Sequence, residues 1–207
     1  MHFTWPPNDF TLMCLQIAVG FTGALTLMYA LRALGRRWGA VPDLRVYFSP
    51  RGGCQDSLVQ ELQKSKKEIL VQAFSFTADP LTYALVDAKK RGIDVQILLD
   101  KSNEIDRYSD LRILLDQGLS PLIDAEHSIA HNKIVIVDGK VVVTGSYNFT
   151  NQAEGENAEN MIILKGYPEL ARQYRDNFMK HKSHCKPAQV REAKDRHPKD
   201  KPADKAA

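Results

Sequence analysis

HNKIVIVDGKVVVTGSYNFT, residues 131–150, decides the fold, because it predicts two buried β-strands joined by a tight turn at Asp138 and Gly139. Outward from it, apolar runs alternate with amphipathic stretches. Further strands are predicted at 45–49, 68–76, 94–100, 119–124 and 160–166, and helices at 56–66, 79–91, 108–117 and 169–182. This alternation predicts an α/β fold with a mixed central sheet flanked by helices.

The same stretch carries a group of polar side chains suited to binding phosphate. Alternate residues of a strand share a face, so His131 and Lys133 point the same way, and so do Ser146 and Asn148. Lysine supplies charge, serine and asparagine supply directed hydrogen bonds, and histidine supplies a nucleophile or a proton shuttle. Glu159 begins a later strand, where a carboxylate could orient the histidine ring. The pattern predicts chemistry on a phosphate ester.

These residues resemble the phospholipase D superfamily. HNKIVIVD matches its HxKxxxxD motif, and GSYNFT with the Glu159-Asn160 pair matches the GSxNxT and Glu-Asn elements that accompany it. The similarity runs from about Val46 to about Lys182 and is greatest to the bacterial Nuc-type endonucleases and their single-motif relatives. It implies a phospholipase D-like sandwich and hydrolysis of phosphodiesters.

The resemblance implies a role for each motif residue. His131 would attack phosphorus and form a phosphohistidine. Lys133, Ser146 and Asn148 would hold the phosphoryl oxygens, and Glu159 would hydrogen-bond the imidazole, from the same chain or from a dimer partner. Asp138 lies at a predicted turn, which favours a structural role over proton transfer.

A single motif predicts a homodimer. One histidine bonded to phosphorus cannot also protonate the leaving group, and the chain has no second HxK. A two-fold dimer would bring two copies of His131 to one cleft. Lysine, serine, asparagine and imidazolium supply the electrostatics, so we expect no metal or other cofactor in catalysis.

The N-terminal region, residues 1–40, is predicted to be a membrane anchor with a helix at about 10–34. FTLMCLQIAVGFTGALTLMYAL, residues 10–31, holds 22 residues without a charge, about enough to cross a bilayer. Arginines 32, 36 and 37 follow it and no Lys or Arg precedes it, which favours a retained single-pass anchor with a cytoplasmic catalytic domain. A cleaved signal, giving a periplasmic or secreted protein, and a buried helix of a soluble core remain alternatives.

The rest of the chain divides into a catalytic domain at 41–185 and a polar tail at 186–207, expected to be disordered because it has almost no large apolar residues. The net charge of +3 excludes neither nucleic acid nor phospholipid as the substrate. The three cysteines lie far apart in the sequence and show no disulfide framework. HKSHC at 181–185 offers too few ligands for zinc, and His127, in the loop before the motif, is expected to be solvated or to line the cleft.

The substrate stays open at this stage. The Nuc-type resemblance favours an endonuclease that acts on DNA or RNA, whereas the predicted anchor favours a phospholipase D acting on membrane phospholipids. A non-catalytic membrane adaptor that recognises phosphate is the third possibility.

Overall fold

The computed structural model describes residues 7–37 and 42–190. The chain divides into two compact units, Met1–Val41 and Pro42–Ala207. The first unit contains helix α1, Pro7–Arg37, and the second contains the sheet and all of the predicted catalytic residues.

Helix α1 covers the whole charge-free run, so the predicted helix is confirmed as a helix. Every side chain described between positions 16 and 31 is exposed. Judged on the side chains that the structure describes, no helix is both long enough and apolar enough to cross a membrane. The side chains at 10–13, at 15 and at the three flanking arginines lie outside the described residues, so the membrane anchor stays a prediction.

An eight-stranded mixed sheet forms the centre of the second unit. Its strands are β1 (Asp43–Ser49), β2 (Glu68–Ala73), β4 (Asp94–Asp100), β5 (Leu122–Asp124), β6 (Lys133–Val137), β7 (Val141–Gly145), β9 (Glu159–Lys165) and β10 (Lys186–Pro187). Their order is β1-β9-β7-β6-β2-β4-β5-β10. The β2–β4 and β4–β5 pairs are parallel, and the other pairs of neighbouring strands in this sheet are antiparallel. Strands β3 (Phe76–Thr77) and β8 (Phe149–Thr150) form a separate parallel pair.

Helices cover both faces of this sheet, which confirms the predicted α/β layering. They are α2 (Cys54–Gln63), α3 (Asp79–Lys90), α4 (Leu111–Asp116), α5 (Asn151–Gly155) and α6 (Pro168–Lys182), with a 3₁₀ turn at Lys101–Glu104. Buried side chains of α2, α3 and α4 pack with alternate strand residues such as Val71 and Val135. The intervening strand residues, Leu70 and Ile136 among them, pack against Phe178 of α6 on the other face.

The turn that joins β6 and β7 has the geometry that its sequence predicts. Asp138 and Gly139 both have positive φ angles, 54° and 61°. Such a turn matches the twist of the flanking strands, and Asp and Gly are among the residues that tolerate it. Antiparallel pairing then runs from Val137 and Val141 to Ile134 and Thr144, which fixes the register of the motif strand.

Several predicted boundaries differ from the structure, and two of these differences have a clear physical reason. The helix expected at 108–117 begins only at Leu111, because the preceding residues form turns in which the Tyr108 N–H donates to Asp106 Oδ1 and the Leu111 N–H donates to Ser109 Oγ. The tail was expected to begin at Lys186, yet Lys186 and Pro187 pair with β5 and Ala188 is buried. Backbone hydrogen bonding to an open sheet edge holds this segment despite its polar sequence. Residues 191–207 of the predicted tail lie outside the described residues.

Candidate active site

The motif residues meet at one edge of the central sheet. His131 and Lys133 stand at the start of β6, Ser146 and Asn148 follow the end of β7, and Glu159 begins β9. Because β6, β7 and β9 are neighbours and antiparallel, these three strand ends lie at the same edge. The register between β7 and β9 places Gly145 opposite Met161.

Lys133 is a buried cation at this edge. Its residue is only 6% exposed, and its Nζ donates a hydrogen bond to the His131 carbonyl oxygen at 2.8 Å. The same Nζ lies 5.0 Å from the centroid of the Phe74 ring. Burial lowers the pKa of the Lys133 ammonium, and the nearby Glu159 carboxylate opposes that shift. A charge held this way has lost much of its hydration and is positioned to attract a phosphate.

His131 is exposed, but the backbone around it is held on both sides. The Asp100 carboxylate accepts from the Ala130 N–H at 2.8 Å, and the Asn132 carbonyl accepts from the Phe74 N–H at 3.1 Å. The imidazole packs on the Phe74 ring with centroids 4.7 Å apart. Within residues 42–190 no hydrogen bond reaches its ring nitrogens, which leaves them open to substrate. Sequence reasoning missed Phe74, whose only signal was its place at the end of a predicted strand.

Ser146 is tied to Asn160 across the strand pair. The Ser146 N–H donates to Asn160 Oδ1 at 2.9 Å, and the Asn160 N–H donates to Ser146 Oγ at 3.0 Å. Asn148 has a buried Oδ1 that finds no hydrogen-bond partner among the described residues. The Glu-Asn element therefore supports the GSYNFT loop through Asn160.

Glu159 does not reach the histidine of its own chain. Its Oε1 accepts from Asn157 Nδ2 at 3.2 Å, and its N–H donates to Ser49 Oγ. The part of the chain that is described shows no hydrogen bond between Glu159 and His131. The carboxylate and the imidazole share a sheet edge without forming a pair within one subunit.

The family comparison agrees with this geometry. The family described as "Cardiolipin synthase, PLD-like domain" matches residues 58–182, more than half of the chain. The chain belongs to the phospholipase D superfamily. It is therefore a phosphodiesterase, and the resemblance seen in its motifs is confirmed.

Individual superfamily members resemble most of the chain. A phospholipase D of Rickettsia typhi is 38% identical over 155 residues, which are 75% of this chain and 73% of that protein. Nuc from Salmonella typhimurium, a solved phospholipase D family member, has 32% identity and a TM-score of 0.68, and the match covers 72% of this chain and 99% of Nuc. A mitochondrial cardiolipin hydrolase of Danio rerio is 29% identical over 124 residues, 59% of this chain and 54% of that protein.

Asp138, the last residue of the phospholipase D motif, lies at the opposite end of β6 from His131. Its carboxylate accepts backbone N–H bonds from Lys66, Lys67 and Glu68, the shortest at 2.7 Å. These bonds join the turn to the start of β2. The motif thus combines a reactive end and a structural end on one five-residue strand.

The described concave regions lie away from the motif residues. Two regions of about 480 Å³ each lie among residues of the β4–α4 segment and of the β3–β8 pair, and neither is lined by His131 or Lys133.

Proposed function

We propose that the protein is an endonuclease that hydrolyses phosphodiesters of DNA or RNA through a phosphohistidine in a homodimeric active site. A ring nitrogen of His131 attacks phosphorus, so a P–N bond forms and the P–O bond to the leaving strand breaks. The leaving oxygen takes its proton from the imidazolium of a second His131. That imidazole then removes a proton from water, which attacks phosphorus and releases the first histidine.

The chemistry needs positive charge and directed hydrogen bonds around the phosphoryl group. Lys133 supplies the charge from a largely desolvated position, and the Asn148 Nδ2 amide and the Ser146 hydroxyl donate the hydrogen bonds. One histidine attacks phosphorus and the other handles both protons, so we propose that catalysis requires no metal. Turnover should continue in a chelator at temperatures where the protein stays folded.

A second copy of the chain is the partner that this scheme requires. Leu44, Val46 and Phe48 of β1 are 53%, 45% and 65% exposed and alternate along the strand, so they form one apolar sheet face. Phe48 pairs with Asn160, which itself contacts Ser146, so this face adjoins the reactive edge. We call Leu44, Val46 and Phe48 the β1 patch and propose that it lies in the dimer interface. Glu159, which does not bond its own histidine, is then available to the partner's imidazole.

The choice of a nucleic acid is supported by the exposure of His131 at the reactive edge. A polymer strand can reach an exposed histidine while its flanking phosphates bind the surrounding surface. The likeness to Nuc supports the same choice, because it covers nearly all of that protein. We expect binding through the backbone phosphates that weakens as salt rises.

The lipid alternative rests on a different observation. The described side chains of α1 between positions 16 and 31 are exposed on all sides of the helix, and they are mainly apolar, an arrangement that suits a bilayer. We therefore propose that α1 anchors the protein to a membrane, with the catalytic domain on the cytoplasmic side. An anchored site would meet phospholipids, and relatives named phospholipase D and cardiolipin hydrolase match this chain.

The deciding experiment offers the full chain, purified in detergent, three labelled substrates in a chelator. The substrates are single-stranded DNA, RNA and vesicles that contain phosphatidylcholine and cardiolipin, and His131→Asn is the matched control. Cleavage of nucleic acid alone supports the proposal, and release of a lipid headgroup alone replaces it with a phospholipase D. Stoichiometric phosphate binding without turnover, unchanged in His131→Asn, would make the protein an adaptor. An acid-labile phosphoenzyme that is lost in His131→Asn would identify the nucleophile.

A further inference from the structure

A second group of histidines lies at the far side of β4 from the motif strand. This group consists of Asp124 at the end of β5, His127 in the following loop, and His181 and His184 at the end of α6. One ligand atom from each residue lies within 4.8 Å of all the others. Residues that are remote in sequence thus meet where the last helix returns to the sheet.

Three imidazole nitrogens converge on one buried oxygen in this group. Asp124 Oδ2 lies 3.0 Å from His127 Nδ1, 3.0 Å from His181 Nδ1 and 3.3 Å from His184 Nε2. A carboxylate oxygen has two lone pairs, so it cannot accept well from three donors. His184 Nε2 is buried, and among the described residues it forms no hydrogen bond. Hydrogen bonding alone therefore leaves this group unsatisfied.

The surroundings already hold the carboxylate in the orientation that a metal ligand needs. The Glu126 N–H donates to Asp124 Oδ1 at 3.2 Å, which leaves Oδ2 directed at the histidines. Asp124 is 1% exposed, and the backbone carbonyl of His127 accepts from Lys101 Nζ at 2.9 Å. Such outer contacts fix ligand orientation in metal sites.

We infer that Asp124, His127, His181 and His184 bind one divalent transition-metal ion, with Zn²⁺ as the ion that the donor set fits best. Three imidazoles and one carboxylate suit zinc and not magnesium or calcium, which prefer oxygen ligands. In a tetrahedral zinc site the donor atoms lie about 3.4 Å apart. The Asp124–histidine distances of 3.0, 3.0 and 3.3 Å are close to this value, and the more widely separated donor atoms, up to 4.8 Å apart, would move together around the ion. Four protein ligands leave no open position, so the ion is structural.

This site would fasten the end of α6 to β5 and to the loop that leads into the motif. The sequence HKSHC suggested too few ligands, because Asp124 and His127 come from a segment more than fifty residues earlier. Cys185 is not a ligand, since its Sγ donates to the His181 carbonyl at 3.1 Å. The inference does not depend on the proposed substrate and adds no metal to the catalytic steps.

The test measures metal content and stability of the full chain, purified through a tag without histidines. We expect close to one zinc per chain, and visible d–d absorption of tetrahedral character after replacement by Co²⁺. At zinc concentrations about 100-fold above Kd, the melting temperature should exceed that of the chelated protein by roughly 5–10 °C. His181→Gln and His184→Gln should abolish both effects, whereas Lys180→Gln, which changes an exposed residue of α6, should keep them.

Several results would overturn the inference. A folded protein that neither contains nor binds zinc would do so, as would zinc binding that survives in both His181→Gln and His184→Gln. If His181→Gln fails to fold, the more exposed His127→Gln decides by the same zinc titration. Zinc binding without a change in melting temperature would contradict the structural role. The cleavage assays test the proposed function and not the metal site, because loss of nuclease activity alone says nothing about metal content.

Discussion

Lys133 shows what a single residue contributes to this site, since burial and one hydrogen bond hold its charge beside the reactive histidine. Lys133→Ala should lower kcat/KM by about 10²–10³, the loss typical of removing one group that stabilises transition-state charge. Lys140→Ala is the matched control, because Lys140 is exposed beyond the β6–β7 turn. Steady-state kinetics on a labelled oligonucleotide would check this, and equal losses in both variants would contradict it.

The burial of Lys133 also predicts a pH dependence. Burial lowers the pKa of the ammonium, which must be protonated to attract phosphate. Activity should therefore fall on the alkaline side at a pH below the ordinary lysine range, as the charge is lost through the lowered pKa. Arginine stays charged, so the activity of Lys133→Arg, although lower, should begin to fall only at a higher pH. Normalised pH–rate profiles of the two proteins would show this, and an unmoved limb would assign it to another group.

The motif residues could be predicted from the sequence, but their partners could not. The spacing of His131 and Lys133 places them together on any strand, whereas the Phe74 ring beside them follows the end of β2 and is brought there by the pairing of β2 with β6. In the same way, the sequence predicts that Glu159 bonds an imidazole of its own chain or of a dimer partner, and it does not predict the bond that its carboxylate accepts from Asn157 within the chain. Long-range side-chain partners depend on strand order, which local patterns do not determine.

At the scale of elements, the β6–β7 hairpin depends on Asp138. Its carboxylate accepts three consecutive backbone N–H groups, and its φ angle is one that asparagine also tolerates but alanine does not favour. Asp138→Ala should lower the free energy of unfolding by about 1–3 kcal/mol, and Asp138→Asn should lower it less. Urea unfolding would measure both, with Asp116→Ala at the exposed end of α4 as the charge control.

The Asp138 variants also separate structure from chemistry. Because Asp138 lies at the far end of β6 from His131, activity per folded molecule should be unchanged. A folded Asp138→Asn protein without turnover would instead assign this carboxylate a catalytic role.

The elements themselves were largely predictable, because buried strands and amphipathic helices have distinct periods. The structure departs from the prediction where side-chain capping or edge pairing overrides composition. Hydrogen bonds to the side chains of Asp106 and Ser109 hold a turn before α4, and Lys186–Pro187 pair with the open edge of β5 although their segment is polar. The order of the eight strands could not be predicted from the sequence, because it depends on which non-local contacts bury most surface.

At the scale of the whole molecule, the proposed dimer should depend on the β1 patch. Phe48→Asp would place a charge in the centre of a packed apolar interface, so the variant should be monomeric at concentrations where the wild type is dimeric. Sedimentation equilibrium in density-matched detergent would report this. Tyr83→Asp, which alters an equally exposed aromatic residue on α3, should stay dimeric. If the Phe48→Asp protein is still dimeric, the dimer interface lies elsewhere on the molecule.

A shared cleft also makes a quantitative prediction for mixed dimers. If each cleft needs two intact His131 residues, subunits exchanged at equal amounts with His131→Asn protein leave about one quarter of the dimers active, because pairing is random. If each chain acts alone, half of the maximal activity remains. The measurement is turnover per total dimer after exchange, and Tyr83→Asp mixed with wild type should show no loss. Activity that falls to one half would contradict the shared cleft, even if the protein proves dimeric, because it would mean that one subunit carries out both the attack on phosphorus and the proton transfers.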